Sequence, residues 1–418
     1  MIQRELEAWL RNLAGWFPIV SVTGPRQSGK STLVQAAFSE YDCINLEDPA
    51  TRERAVADPS GFVAHLSNQT IIDEAQYVPN LFPALQAKAD QEKKKGQFIL
   101  TGSQNYLLSS SIKESLAGRV GIARLLPLSY LEIKSAYSDI LFEQVMLQGS
   151  YPGLYADNIP VNIFYSNYID TYITRDVVGL LDVRKESQFR AFLKACAARV
   201  GNLVNYSDLS RDVGIALPTV KDWLSILEAS YVVKQLPAYS RNISKRVAKS
   251  PKLFFYDTGL LCYLLELTNV KSLYSSPYYG AVFENYIISE QFKNRFNSLL
   301  VPDIYFYRDD SKIEVDMIDV TEAKEAIICE IKSSQTFSQS FVRNVNRVVN
   351  VSGLTEVLPA VVYGGEGTFE CNDVYIYGIN EWLLKRHDKE LSGMSFTIDG
   401  RRYRCEWAIT DRDRYKKA

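Results

Sequence analysis

The first third of the chain alternates between two hydrophobic patterns. FPIVSVTG is a short apolar run ending in glycine, and STLVQAAF behind it has helical spacing. YDCINLED, SNQTIIDEAQ and KGQFILTGSQ are further apolar runs, closed by acids or a turn and separated by helical stretches. Short apolar runs bounded in this way read as buried strands, and strands separated by helices predict a parallel sheet covered on both faces. This α/β unit is expected over residues 1–135.

Residues 136–195 have the spacing of packed helices and are rich in tyrosine (Tyr151, Tyr155, Tyr165, Tyr168, Tyr172), which predicts a helical linker or lid. YSDLSRDVGIALPTVKDWLSILEASYVVKQL then reads as helix, turn, helix, strand. Ser207 is the expected N-cap, Gly214 sits in the turn, and Pro218 suits the first turn of the second helix. With the loop RNISKRVAKSPK and the strand LFFYD, residues 196–260 outline a winged-helix-like unit. Residues 261–390 form a third α/β unit: the helix GAVFENYIISEQFKNRF, the strands IYFYRDD, IEVDMIDV and AIICEIKSS, the helix FVRNVNRVVNV and the strand PAVVYGG. Within 391–418, MSFTIDGRRYRCEW predicts a hairpin turning at Asp399–Gly400.

Composition narrows the function classes. A chain of 418 residues, at about 150 per domain, has room for about three such units. With 47 Lys and Arg against 49 Asp and Glu, the net charge of -2 argues against coating nucleic acid by bulk charge. The six cysteines are scattered without a CxxC pair, which predicts neither a disulfide framework nor a zinc knuckle and suits a reduced, cytoplasmic protein. Two histidines, His65 and His387, exclude a mechanism built on several. MIQRELEAWLRNL reads as an amphipathic helix rather than a signal peptide, and the lack of any run of eighteen apolar residues predicts no membrane span.

Candidate chemistry begins at the end of the first strand. Gly24, Pro25, Arg26, Gln27, Ser28, Gly29, Lys30, Ser31 and Thr32 match G-x-x-x-x-G-K-[ST] at every fixed position, between a strand and a helix. Such a loop turns backbone N–H groups and a helix N-terminus toward phosphates; Lys30 reaches the β- and γ-phosphates and Ser31 ligates Mg²⁺. Asp73 and Glu74 end the apolar strand IIDE, where Asp73 suits the Mg²⁺ shell and Glu74 polarises the attacking water. Ser103, after the strand FILTG, is placed to sense the γ-phosphate, although turn chemistry explains it equally. Arg26, Arg119 and Arg175 are candidates to complete the site, each also explained by a salt bridge; Arg119 is the one assigned a catalytic role. The cofactors expected are ATP and Mg²⁺.

A second constellation lies in the third unit. Asp316 ends EVD, and Glu330 and Lys332 form ExK on the next strand, where positions two apart share a face. With Glu284 in the preceding helix, Asp316 and Glu330 make a candidate metal site, with Lys332 as its catalytic base or charge. This D…ExK pattern matches restriction-endonuclease-like nucleases; paired charges at a β-edge, or a nuclease fold that no longer cuts, would show the same residues. Between the two constellations, Arg241, Lys245, Arg246, Lys249 and Lys252 give the loop 241–252 a local charge of +5 with no acid, a candidate DNA contact together with Thr219 and Lys221 on the helix before it.

The motifs GPRQSGKST, INLEDPATR, IIDEAQ, FILTGSQ, SLAGRV, PLSYLE, GSYPGLY, YIDTYITRDV, FYDTGL, FENYIISEQ, EVDMIDV and EIKSS occur in this order. In them the chain resembles prokaryotic AAA-like ATPases with an AAA_14 N-terminal domain and a DUF4143 C-terminal domain. The resemblance implies an ATPase core related to AAA+ and STAND proteins, a winged-helix-like module and a PD-(D/E)xK nuclease-like fold. It carries nucleotide roles onto residues 24–32, Asp73 and Glu74, and nuclease roles onto Glu284, Asp316, Glu330 and Lys332. The function expected is a slow Mg-ATPase coupled to DNA or a protein partner. The alternatives are a homo-oligomeric, nucleotide-dependent assembly switch with little turnover, and an ATP-gated Mg-dependent DNA nuclease.

Overall fold

The computed structural model describes residues 2–103, 116, 118–173, 186–240, 250–322 and 325–384, together with the backbone of 395–398 and 401–404. Arg175, Arg241, Lys245, Arg246 and Lys249 lie outside the described residues. So does the Asp399–Gly400 turn, although the two strands that flank it pair antiparallel as expected.

Five parallel strands form the first sheet: β1 (Ile19–Thr23), β2 (Asp42–Asn45), β3 (Thr70–Asp73), β4 (Phe98–Gly102) and β5 (Val120–Arg124). Their order is β2-β3-β4-β1-β5. β1, β3 and β4 are buried throughout, which is why they read as unbroken apolar runs. One face packs against the helix Leu81–Glu92 and its neighbours, and the other against Leu6–Trp16 and Lys30–Ala37. β5 has no counterpart in the sequence reading. Gly121 breaks its apolar pattern, and packing demands that glycine, since a Cβ there would meet Phe17 Cδ2 at 2.7 Å.

Among the described residues, helices follow as far as Ala229. The pair Tyr206–Val213 and Leu217–Ala229 forms as predicted, with Gly214 in the left-handed conformation that ends the first and Pro218 in the opening turn of the second. The cap is Asn205 and not Ser207: Asn205 Oδ1 accepts the N–H groups of Ser207 and Asp208 at 3.1 and 3.2 Å. The strands β6 (Val233–Leu236) and β7 (Lys252–Phe255) follow as an antiparallel pair.

The second sheet holds β8 (Ile304–Arg308), β9 (Glu314–Asp319), β10 (Ala326–Lys332), β11 (Val357–Tyr363), β12 (Thr368–Cys371) and β13 (Val374–Gly378), in the order β12-β13-β11-β10-β9-β8. β10, β11 and β13 run parallel, whereas β8, β9 and β12 pair antiparallel with their neighbours. The helix Val342–Ser352 covers one face. The 19-residue helix Tyr279–Asn297, buried nearly all round, covers the other. Its side joins one large apolar cluster whose members lie between Leu126 and Trp382. Among the described residues no helix is long and apolar enough to cross a membrane.

Candidate phosphate-binding site

The carboxyl ends of β1, β4 and β3 lie side by side, where open α/β sheets bind ligands. Residues 24–29 leave β1, and Lys30 opens the following helix. Gly24 has no room for a side chain: a Cβ would fall 2.0 Å from the Leu125 carbonyl oxygen. Gly29 has φ 89°, a left-handed conformation that glycine alone adopts freely, so both glycines of the motif are required by the turn. Gln27, with φ 60°, stores strain of about 1 kcal/mol.

Lys30 is buried, and its ammonium donates to the Gly24 and Pro25 carbonyls at 3.2 and 2.8 Å. Burial lowers its pKa from 10.5 to about 8, against the upward pull of Glu74 and Asp73. The unfolded chain therefore holds more protons between those pH values, and folding without nucleotide gains stability as pH rises from about 8 to 10.5. A polyphosphate favours the charged amine. At pH 8, nucleotide binding is expected to take up roughly half a proton. Calorimetry in buffers of different ionisation enthalpy reads that uptake, and Lys30→Met should abolish it.

On the neighbouring strands, Asp73 Oδ1 accepts from Ser31 Oγ at 2.9 Å and also from Thr101 Oγ1. A hydroxyl and a carboxylate side by side are hard oxygen donors, and they fit a magnesium ion shared with phosphates. Glu74 takes a left-handed conformation, φ 54°, at the end of β3. Its Oε2 accepts from Ser103 Oγ at 3.0 Å and from the Gln76 amide. Ser103 therefore acts here on Glu74. Gln76 and Thr101 were not singled out in the sequence, although both stand in quoted motifs. Thr32 is exposed on the outer side of the helix.

The loop is held from outside by one residue the sequence did not mark. Arg4 is buried and donates to the Ser28 carbonyl at 2.7 Å, to the Leu126 carbonyl at 2.8 Å and to Glu132 at 3.0 Å. Arg26 donates to the Tyr77 hydroxyl at 3.2 Å and lies 5.5 Å over the Tyr172 ring, at the one-turn π-helix Ile169–Ile173. Arg119 is not brought to the phosphate loop of its own chain. It precedes β5 and so stands at the amino end of the sheet, about 16 Å of strand away from that loop. Its guanidinium pairs with Asp90 at 2.6 Å.

The second constellation is brought together with one change of cast. Glu284, Glu314 and Asp316 converge on the ammonium of Lys252, at 3.1, 2.7 and 3.9 Å. Lys252 is thus no part of an exposed basic face: it begins β7 and its side chain is buried. Lys332 pairs with Glu330 at 2.6 Å and reaches Asp316 at 3.9 Å. Burial, reinforced by Asp316, pushes the carboxyls of Glu284 and Glu330 well above the ordinary range. Burial alone would lower the Lys252 pKa, but Glu284, Asp316 and Glu314 outweigh it and the net shift is upward. As arranged, these side chains do not fit a metal ion, because a lysine fills the point on which three carboxylates converge. Among the described residues no group of three or more His, Cys, Asp or Glu is set to hold one.

Comparison with known proteins places these features. A family described as an AAA domain matches residues 17–134. Two described as domains of unknown function match 139–271 (DUF8612) and 279–382 (DUF4143). Uncharacterized proteins of Mycobacterium tuberculosis and Mycobacterium bovis are each 31% identical over 379 residues, covering 90% of this chain and 82% of theirs. An uncharacterized protein of Haemophilus influenzae is 22% identical over 273 residues, covering 57% of this chain and 67% of its own. Among solved structures, a Walker-type ATPase of Pyrococcus abyssi shares 16% identity with a TM-score of 0.42, over 63% of this chain and 96% of its own. The chain belongs to the family of the two mycobacterial proteins, with an AAA-type phosphate-loop domain toward its N-terminus and a DUF4143 domain toward its C-terminus.

Proposed function

We propose that the chain is a Mg-dependent ATPase. The observation that supports this best is Glu74, a carboxylate held by Ser103 and Gln76 beside the Ser31–Asp73 pair, on the strand end facing the phosphate loop. The loop amides and Lys30 bind the phosphates, and nucleotide draws Lys30 off the Gly24 and Pro25 carbonyls. Ser31 and Asp73 would hold Mg²⁺, which neutralises charge on the phosphate oxygens. Glu74 orients the attacking water and accepts its proton.

Turnover of ATP by the full chain in Mg²⁺ tests this. Lys30→Ala is expected to abolish turnover and to weaken ATP binding at least tenfold, because it deletes the loop ammonium placed for the β- and γ-phosphates. Wild-type protein that neither binds nor hydrolyses ATP would sink the reading.

The helix pair and the β6–β7 strands support reading residues 196–260 as a winged-helix-like module. The described part of its expected DNA contact is small. Thr219 is half-buried, and the exposed Lys221 holds its ammonium 5.7 Å over the Tyr206 ring.

A further inference from the structure

Six charged side chains gather where β7 meets β9, β10 and the helix Tyr279–Asn297. Four are acids (Glu284, Glu314, Asp316, Glu330) and two are bases (Lys252, Lys332), and Arg308 stands 3.7 Å from Glu314 at the rim. Four carboxyl groups this close offer the hard oxygen ligands that a divalent cation takes. One of their oxygens, Glu330 Oε2, is buried and has no hydrogen-bond partner, on a residue only 6% exposed. The convergence point of three of the acids is nevertheless taken. Lys252 comes from a different part of the chain, is 4% exposed, and is backed by the Phe306 ring at 5.5 Å.

Its placement is fixed by backbone as well as by charge. Lys252 pairs with Leu236 across the hairpin and bridges to Leu203. Ala238, just past β6, bridges to Phe306 of β8. The ammonium is therefore aimed by a strand docked on the second sheet and does not drift in from solvent. A magnesium or manganese ion needs its oxygen ligands at about 2.1 Å, and it cannot share their centre with a second cation.

We propose that Lys252 is a tethered counter-ion that closes this carboxylate cluster to divalent cations, so that a metal enters only when Lys252 is withdrawn. The resting cluster is then locked, and β7 is the bolt. The inference does not rest on the ATPase reading, because it concerns different residues and a different cation.

Manganese titration of the nucleotide-free full chain, followed by the loss of the free-ion EPR signal, tests it. Wild type and Asp316→Asn are expected to bind Mn²⁺ alike. Lys252→Met is expected to bind one Mn²⁺ more than the double variant Lys252→Met/Asp316→Asn. A wild-type site that Asp316→Asn removes would overturn the proposal. So would a folded Lys252→Met that gains no site. If Lys252→Met folds only with Mn²⁺ present, the proposal is supported. If neither Mn²⁺ nor the added change Glu314→Gln restores folding, Lys252 is a structural ion pair only and the proposal fails.

Discussion

Replacing Glu74 by Gln is expected to lower ATP turnover by about a thousandfold while leaving ATP affinity within about threefold of wild type. The exchange keeps shape and the left-handed backbone, and an amide oxygen still accepts from Ser103. What disappears is the carboxylate that takes a proton from water. An interaction made only in the transition state lowers the rate without touching ground-state binding. Single-turnover kinetics alongside equilibrium ATP binding separates the two. Equal losses in both would place Glu74 in nucleotide binding and leave the base unidentified.

The second large effect concerns stability. Asp257 is buried and accepts three hydrogen bonds: Tyr165 Oη at 2.6 Å, and the Ser150 and Leu260 N–H groups at 2.8 Å each. It ties FYDTGL to GSYPGLY across more than a hundred residues. The glycines of both motifs serve the same knot, since a Cβ at Gly149 or Gly259 would meet the Tyr165 hydroxyl at 1.8 or 2.3 Å. Asp257→Ala strands the two buried N–H groups, leaves Tyr165 only the Gln148 carbonyl at 3.1 Å, and is expected to cost about 4 kcal/mol, read from the denaturant midpoint at constant slope. Asp257→Asn should recover only part of that, because its NH₂ group faces donors. A cost under about 1 kcal/mol would show that water or a shifted backbone satisfies those groups.

The sequence made some of this legible and hid the rest for physical reasons. The phosphate loop, Asp73 and Glu74 could be read because their spacing is dictated by a ligand, and β1, β3 and β4 because burial on both faces leaves an unbroken apolar run. β5 was hidden by Gly121, whose role is to admit Phe17. Arg4 could not be found, since nothing local ties residue 4 to a loop twenty-four positions away. The run of cations ending at Lys252 misled, because a charge pattern along a chain does not say which member turns inward. In this case the start of a strand decides it, and four neighbouring cations lie outside the described residues.

The large apolar cluster with members between Leu126 and Trp382 governs how the chain comes apart. The first sheet keeps its two faces in separate clusters of its own. The tyrosine-rich helices, the β6–β7 strands and the long helix share one interior, with no apolar seam between them. Those elements therefore open together, since none can leave without wetting the others, whereas the first sheet and the face of the second sheet under Val342–Ser352 keep clusters of their own and are not committed to open with them.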